Sequence, residues 1–267
     1  MEIPNELIAA GLASTVAKEA YADLVHPVAK PIGEIAGMLP RAVRVALTPL
    51  EKWLAEKEFN MAAMRKLLEE KLENVDPTLI ESPAPYIAVP ALQYISYCMN
   101  NDELRDMYAN LLAKSMTKVV KNGVHPGFIE IIKQLSPDEA KILKYLYMNG
   151  LRIPTIAVRY ENADGSGIEP VKNFSNVGEL TGCEEPFDID KYFDNLNRLG
   201  LTEFAGFLSH LSDSKYYEPI RNHKQILEIM EKVKTSPYAI AKIVESYVSL
   251  TRYGISFCSI CLSTSKP

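Results

Sequence analysis

Apolar residues recur at helical spacing through the front half of the chain. Between residues 58 and 74, Met61, Met64, Leu67, Leu68 and Leu72 form one stripe, with Arg65, Lys66, Glu69, Glu70 and Lys71 on the remaining surface. Leu104, Met107, Tyr108, Leu111 and Leu112 make a second apolar face and predict a helix over 102–122, capped by Asp102 and ended by Gly123. A shorter helix is predicted over 90–100. Residues 82–90 hold Pro83, Pro85 and Pro90 and read as an extended linker. Upstream of about residue 54 the chain is rich in alanine and other small residues. There Pro27, Pro31, Pro40 and Pro49 start, kink or end helical pieces near 5–26, 30–38, 40–47 and 48–57.

The back half changes pattern. Ser136, Pro137 and Glu139 have the types and spacing of a capping box with proline at the first helical position. Ala140, Ile142, Leu143, Leu146 and Tyr147 then continue a helix that Gly150 ends. Residues 151–160 have strand character, weakened by Pro154, and 161–167 form a turn-rich loop. A short helix at 174–182 and a longer one from Asp188 to Gly200 follow. Strands are expected at 201–211 and in the later part of 239–250, with a charged helical stretch at about 219–234 between them. Thr251 caps a last short helix. That order, with its threonine-x-x-glycine-x-x-phenylalanine ending, looks like a winged helix with an insertion before the final strand. The fold class expected is mainly α: a helical N-terminal region followed by a winged-helix-like α+β domain. The expected divisions are residues 1–57, 58–122 and 123–267.

The run HPGFIEIIKQLSPDEAKIL at 125–143, with ELRDMYANLLAKSM at 103–116, resembles the abortive infection alpha family, a domain family associated with bacterial phage defence. PVAKPIGEIAGML at 27–39, SPAPYIAVPALQYI at 82–95 and LTRYGISFCSIC at 250–261 fit the same family, so the resemblance spans most of the chain. It implies an abortive-infection role and brings no catalytic motif to place on these residues.

Composition narrows the chemistry. The 267 residues are 47% hydrophobic and 24% charged, as in soluble globular proteins. A net charge of −5 argues against a generally basic nucleic-acid binder. Four cysteines do not suggest a disulfide framework, and with no signal peptide visible a cytoplasmic location is expected. The uncharged run 82–101 is long enough to span a bilayer, but its prolines favour a linker and a short helix.

Four functional readings follow. In a winged helix the 188–200 helix would read DNA, and Lys191, Asn195 and Arg198 are its candidate nucleic-acid contacts. Glu184, Glu185, Asp188, Asp190 and Asp194 would repel phosphate, which favours protein contacts on the same scaffold. Cys258 and Cys261 have the spacing of half a zinc site, yet no second pair stands near them in sequence, so buried packing is expected and neither metal nor cofactor. The four histidines are scattered, and His125 is read as a backbone cap, so no catalysis is expected. Finally, residues 35–54 place Arg41 and Arg44 among apolar residues including Val43, Leu47 and Leu50, with Trp53 near one end. That is the make-up of an interfacial helix or a partner contact.

The sequence therefore points to a non-enzymatic phage-defence protein. It would act on an unidentified protein partner or phage component, with self-association and a membrane surface as further contacts, membrane association following activation. The alternative is a winged-helix transcriptional regulator. A peptide covering 35–54 is expected to bind anionic lipid vesicles in a co-sedimentation assay, and Val43→Asp or Trp53→Ala to weaken it. Absence of binding at low salt would remove the membrane contribution.

Overall fold

The computed structural model describes residues 61–262 except 96, 99, 207 and 208. The candidate contacts Arg41, Val43, Arg44, Leu47, Leu50 and Trp53 lie outside the described residues, as do the helices expected before residue 57. The chain divides into two compact units, one running to Gln134 and taking in Ile260–Ser265, the other covering Leu135–Ser259.

The first unit is helical. Helix α1 (Met61–Leu72) turns Met64, Leu68 and Leu72 inward, one residue per turn on the face the sequence pattern marks. Helix α2 (Pro85–Ile95) begins five residues before the expected start. Pro85 occupies the first turn, where a missing N–H costs nothing, and the Ala84 carbonyl accepts the Ile87 and Ala88 N–H groups at 3.0 and 2.9 Å. Pro90 lies inside the helix, a position that costs about 3 kcal/mol in an exposed helix. Burial of Ile87, Ala88, Ala91, Leu92 and Ile95 offsets it. Helix α3 (Asp102–Ser115) is capped by Asn101, whose side chain accepts the Leu104 N–H at 2.9 Å, while Asp102 sits in the first turn. It stops at Ser115, short of the expected 122. Helix α4 (Gly127–Lys133) opens with the His125 Nδ1 accepting the Gly127 N–H at 3.0 Å, the backbone role expected of that histidine. Tyr108, Leu111, Phe128 and Ile132 complete the core of this unit.

The second unit mixes helices with one antiparallel sheet. Helix α5 (Pro137–Met148) carries the expected capping box: the Ser136 Oγ accepts the Glu139 N–H at 3.2 Å, and Glu139 Oε2 accepts the Ser136 N–H at 2.6 Å. Strand β1 (Arg152–Glu161), strand β2 (Gly167–Phe174), helix α6 (Val177–Leu180), helix α7 (Ile189–Arg198) and strand β3 (Thr202–Phe204) follow. Helices α8 (Glu218–Arg221) and α9 (Lys224–Lys232), strand β4 (Ile240–Leu250) and helix α10 (Arg252–Cys261) complete the order. The sheet runs β2-β1-β4-β3. Strand β2 was not expected, because Pro170 and scattered charges leave it no alternating pattern; it survives as an edge strand. Strand β3 is three residues long, much shorter than the expected 201–211. The charged stretch is two helices, separated where His223 caps α9 through its Nδ1 and the Gln225 N–H at 3.3 Å.

Strand β1 is buried on both faces, but at different ends. Successive side chains alternate faces, so Ile153 and Thr155 lie on one side and Ile156, Val158 and Tyr160 on the other. Ile153 pairs with the buried Val248. Ile156, Val158 and Tyr160 join Tyr217, Ile220 and Ile226 of the α8–α9 insertion in a separate apolar cluster. The Tyr217 hydroxyl donates to the Ser246 carbonyl at 2.8 Å and accepts the Leu211 N–H at 2.9 Å, and Tyr160 donates to the Ile229 carbonyl. The insertion thus covers sheet surface that would otherwise be wet.

Helices α5 and α7 hand over to strands in the same way. Gly150 and Gly200 adopt φ of 94° and 72°, and the next N–H bonds back to Leu146 and Leu196 at 2.9 and 3.0 Å. The threonine-x-x-glycine-x-x-phenylalanine ending has a matching purpose. Thr251 Oγ1 accepts the Gly254 N–H at 2.8 Å and donates to the Gly200 carbonyl at 2.6 Å. A Cβ on Gly254 would stand 2.0 Å from the Leu201 carbonyl oxygen, and Phe257 is fully buried.

The turn between α6 and α7 is held by two side chains of α5, Asp138 and Lys141, the latter donating from its Nζ to the Gly182 carbonyl at 2.9 Å. Asp138, 6% exposed, accepts the Glu184 N–H at 3.1 and 3.0 Å, the Glu185 N–H at 3.3 Å, the Tyr192 hydroxyl at 2.9 Å and Lys141 Nζ at 3.1 Å. Burial alone would raise its pKa; the Glu184 N–H, Lys141, Tyr192 and the Glu185 N–H outweigh it, and the net shift is downward.

Two outcomes are expected. Gly254→Ala should destabilise the protein by about 1–3 kcal/mol in denaturant melts, because the Leu201 backbone has to move. Asp138→Asn should cost about 1.5–3 kcal/mol, the range for hydrogen bonds to a charged group. Because the folded pKa is depressed, the stabilisation is complete above the ordinary value of 3.8 and is lost as pH falls through the folded value. Wild-type stability should therefore drop steeply in acid, and the asparagine variant should lack that part of the slope.

Candidate functional site

Helix α7 is the surface to which the sequence assigns recognition. It is strongly amphipathic: Ile189, Tyr192, Phe193 and Leu196 are buried, which fixes the outward side to Asp190, Lys191, Asp194 and Arg198. The Asp138 latch sets where the helix begins. Gly178 sets how closely the approach packs, since a Cβ there would lie 2.3 Å from the Pro186 carbonyl oxygen. Cys183 is buried beside Thr181, its Sγ 3.2 Å from the Thr181 Oγ1, and burial pushes its thiol upward.

The three candidate nucleic-acid contacts fall on this helix, and each has an internal engagement. Lys191 Nζ pairs with Asp188 Oδ2 at 3.1 Å and stands 5.9 Å from the Tyr192 ring centre. Asn195 Nδ2 donates to Glu139 Oε1 at 2.8 Å, so one buried glutamate serves both the α5 cap and the α7 amide. Arg198 donates from Nε and Nη2 to the Asn195 Oδ1 at 3.1 and 2.7 Å. A base-reading amide needs both its donor and its acceptor turned outward. The Asn195 amide has both turned to the protein.

Beside α7 lies a cleft of about 400 Å³. Its walls come from β2, from the start of α7 and from α9. Phe174, Phe187 and Ile189 supply apolar surface, with Phe187 54% exposed. Asp190 and Glu228 bring carboxylates, and Lys172 and Lys232 bring ammonium groups. Crowding by the walls raises the Asp190 pKa, Asp194 one turn on raises it further, and Lys172 opposes both. His223 borders the site, its ring centre 5.0 Å from that of Phe174 and 6.1 Å from that of Phe187. Its Nε2 lies 3.1 Å from Glu179 Oε2. Sequence reasoning missed this cleft, because β2 ends at Phe174 and α9 begins only at Lys224, and Phe187 stands outside any periodic run.

The cysteine spacing finds a packing role. Cys258 and Cys261 are buried thiols, and burial pushes Cys258 up to about 12, which keeps it protonated at neutral pH. Among the described residues no group of three or more His, Cys, Asp or Glu is arranged to hold a metal ion, and no helix is long and apolar enough to cross a membrane.

Comparison with curated proteins finds no match. Among solved structures the chain is similar to an uncharacterized protein from the hydrocarbon-degrading marine bacterium Alcanivorax borkumensis SK2, at 17% identity and a TM-score of 0.36, covering 51% of this chain and 92% of that one. The abortive infection alpha family matches across residues 56–261, which takes in both units. With that match, the chain belongs to the abortive infection alpha family and shares its association with phage defence.

Proposed function

We propose that this protein defends against phage without catalysis, by binding another protein through its second unit, and that this unit is a winged helix adapted for docking. Several features support the winged-helix reading. Helix α5, strand β1, helices α6 and α7 and strands β3 and β4 follow in the required order, and β1, β4 and β3 are neighbours in one antiparallel sheet. Strand β2 and the α8–α9 insertion are additions to that plan. The partner is a phage component or a host protein, a second copy of the chain included. The 35–54 segment with Arg41 and Arg44 is the part proposed to meet a membrane once the protein is activated.

The observation that carries the docking reading is the state of the α7 surface. Its asparagine is turned into the protein and its exposed lysine pairs with Asp188, while Asp190 and Asp194 also face outward. Phosphate neutralisation needs available cations, and carboxylates in that position oppose it. The DNA-regulator alternative makes the opposite demand of the same helix. Purified protein is therefore expected to leave mixed-sequence duplex DNA unshifted in a gel at about 50 mM salt, where electrostatic binding is favoured. Lys191→Ala combined with Arg198→Ala is expected to leave protection in a phage challenge unchanged. Salt-dependent retardation that this double change abolishes would overturn the docking reading.

A further inference from the structure

We propose that His223 is a proton-operated clasp between the α6–α7 element and the α8–α9 insertion. Neutral, its ring caps α9 and holds α6; charged, it keeps its hold on α6 and releases the cap.

The clasp uses both ring nitrogens. Nδ1 accepts the Gln225 N–H at 3.3 Å at the start of α9, and Nε2 lies 3.1 Å from Glu179 Oε2 on α6. A nitrogen that accepts carries no proton, so the neutral ring has its proton on Nε2 and donates it to the carboxylate. The two bonds together fix one tautomer. The side chain is 16% exposed, and its ring centre stands 5.0 Å from that of Phe174 on β2 and 6.1 Å from that of Phe187. The backbone takes part as well. The His223 N–H donates to the Ile220 carbonyl at 3.1 Å, and the His223 carbonyl accepts the Leu227 N–H at 3.0 Å. One residue thus joins α8 to α9 through its main chain and ties both to α6, β2 and the α6–α7 turn through its ring.

A second proton breaks this arrangement at a defined point. On Nδ1 it faces the Gln225 N–H donor to donor, and it puts a cation where the first N–H groups of α9 already carry partial positive charge. At Nε2 the added charge is favourable, because the bond to Glu179 becomes charge-assisted and roughly twice as strong as a neutral one. The other charges around the ring do not reverse this preference. On α9, Lys224 pairs with Glu228 at 3.8 Å. On α8, Glu218 is followed by Arg221, which is held by Glu245 at 2.6 Å and by the Ser214 carbonyl at 3.0 Å. The α6–α7 turn carries Glu184 and Glu185, of the same sign as Glu179. In the cleft, Lys172 of β2 and Asp190 of α7 are opposite in sign. Glu179 therefore retains the charged imidazole, and the α9 cap is the contact that yields. Gln225 and Phe187 both line the cleft beside α7, so the state of this one ring sets the form of that rim.

The test uses the full-length protein. Heteronuclear NMR of the imidazole nitrogens at about pH 8, above the ordinary imidazole range, should find the His223 proton on Nε2. Amide exchange, corrected for the intrinsic rate at each pH, should show Gln225 protection falling by roughly fivefold or more between about pH 7.5 and 5.5. The Glu184 and Glu185 amides, which Asp138 holds, are the internal reference and should keep their protection. His223→Asn, whose amide can cap a helix at any pH, should hold Gln225 protection constant over the same range. Glu179→Gln should move the wild-type transition to lower pH, because the carboxylate that favours the cation is gone. A neutral ring with its proton on Nδ1 would overturn the clasp, as would unchanged Gln225 protection in the wild type. The same fall in His223→Asn, a transition indifferent to Glu179→Gln, or an equal fall at Glu184 and Glu185 would each overturn it too. The tautomer and the wild-type exchange need no variant, so they decide the matter even where a substitution prevents folding.

Discussion

Burying a carboxylate in the second unit is tolerable only because the protein rebuilds its solvation. Asp138 gives up water and receives two backbone N–H groups, a phenol and an ammonium in return. The donors come from a helix turn and from residues 46, 47 and 54 positions further on, so the charge can be satisfied in only one arrangement of that turn. The start of α7, the setting of Phe187 and one wall of the cleft all inherit that arrangement. A hydrophobic residue at 138 would leave the helices free to slide; the charge demands a register.

The neighbouring glutamate works in parallel. Glu139 completes the α5 cap with one oxygen and holds Asn195 with the other. Two consecutive acidic residues in the first turn thus bind two separate parts of the α6–α7 element, and they also sit where the helix dipole favours negative charge. The polar side of α7 is in consequence spent on holding the unit together where it faces α5, and carries Asp190, Lys191, Asp194 and Arg198 where it faces out.

How far the sequence exposes this depends on the range of the interaction. The Ser136 cap, the Gly150 and Gly200 stops, the α1 stripe and the role of Thr251 are local, and each was readable from residue type and spacing. The helical front and the mixed back were equally legible. Pro85 and Pro90 misled because a proline count does not distinguish a first-turn position from a linker, nor see the burial that compensates for Pro90. Strand β2 exists because β1 offers it an edge, which no window around Pro170 reveals. The Asp138 network and the cleft are assembled from distant segments, and their members look unremarkable one at a time.

The edge strand has one more consequence. Strand β2 ends the sheet on its outer side, contains Pro170, and meets β1 with register shifts on either side of Val158. A proline gives no N–H to any ladder, and irregular pairing twists an edge away from a flat template. A segment lying along that edge in the cleft could not be gripped by a regular run of main-chain bonds. Its retention would fall to side-chain chemistry, which asks for a class of residue where a ladder asks for an extended backbone in register. Recognition of that kind forgives sequence drift in a bound segment so long as its character is kept.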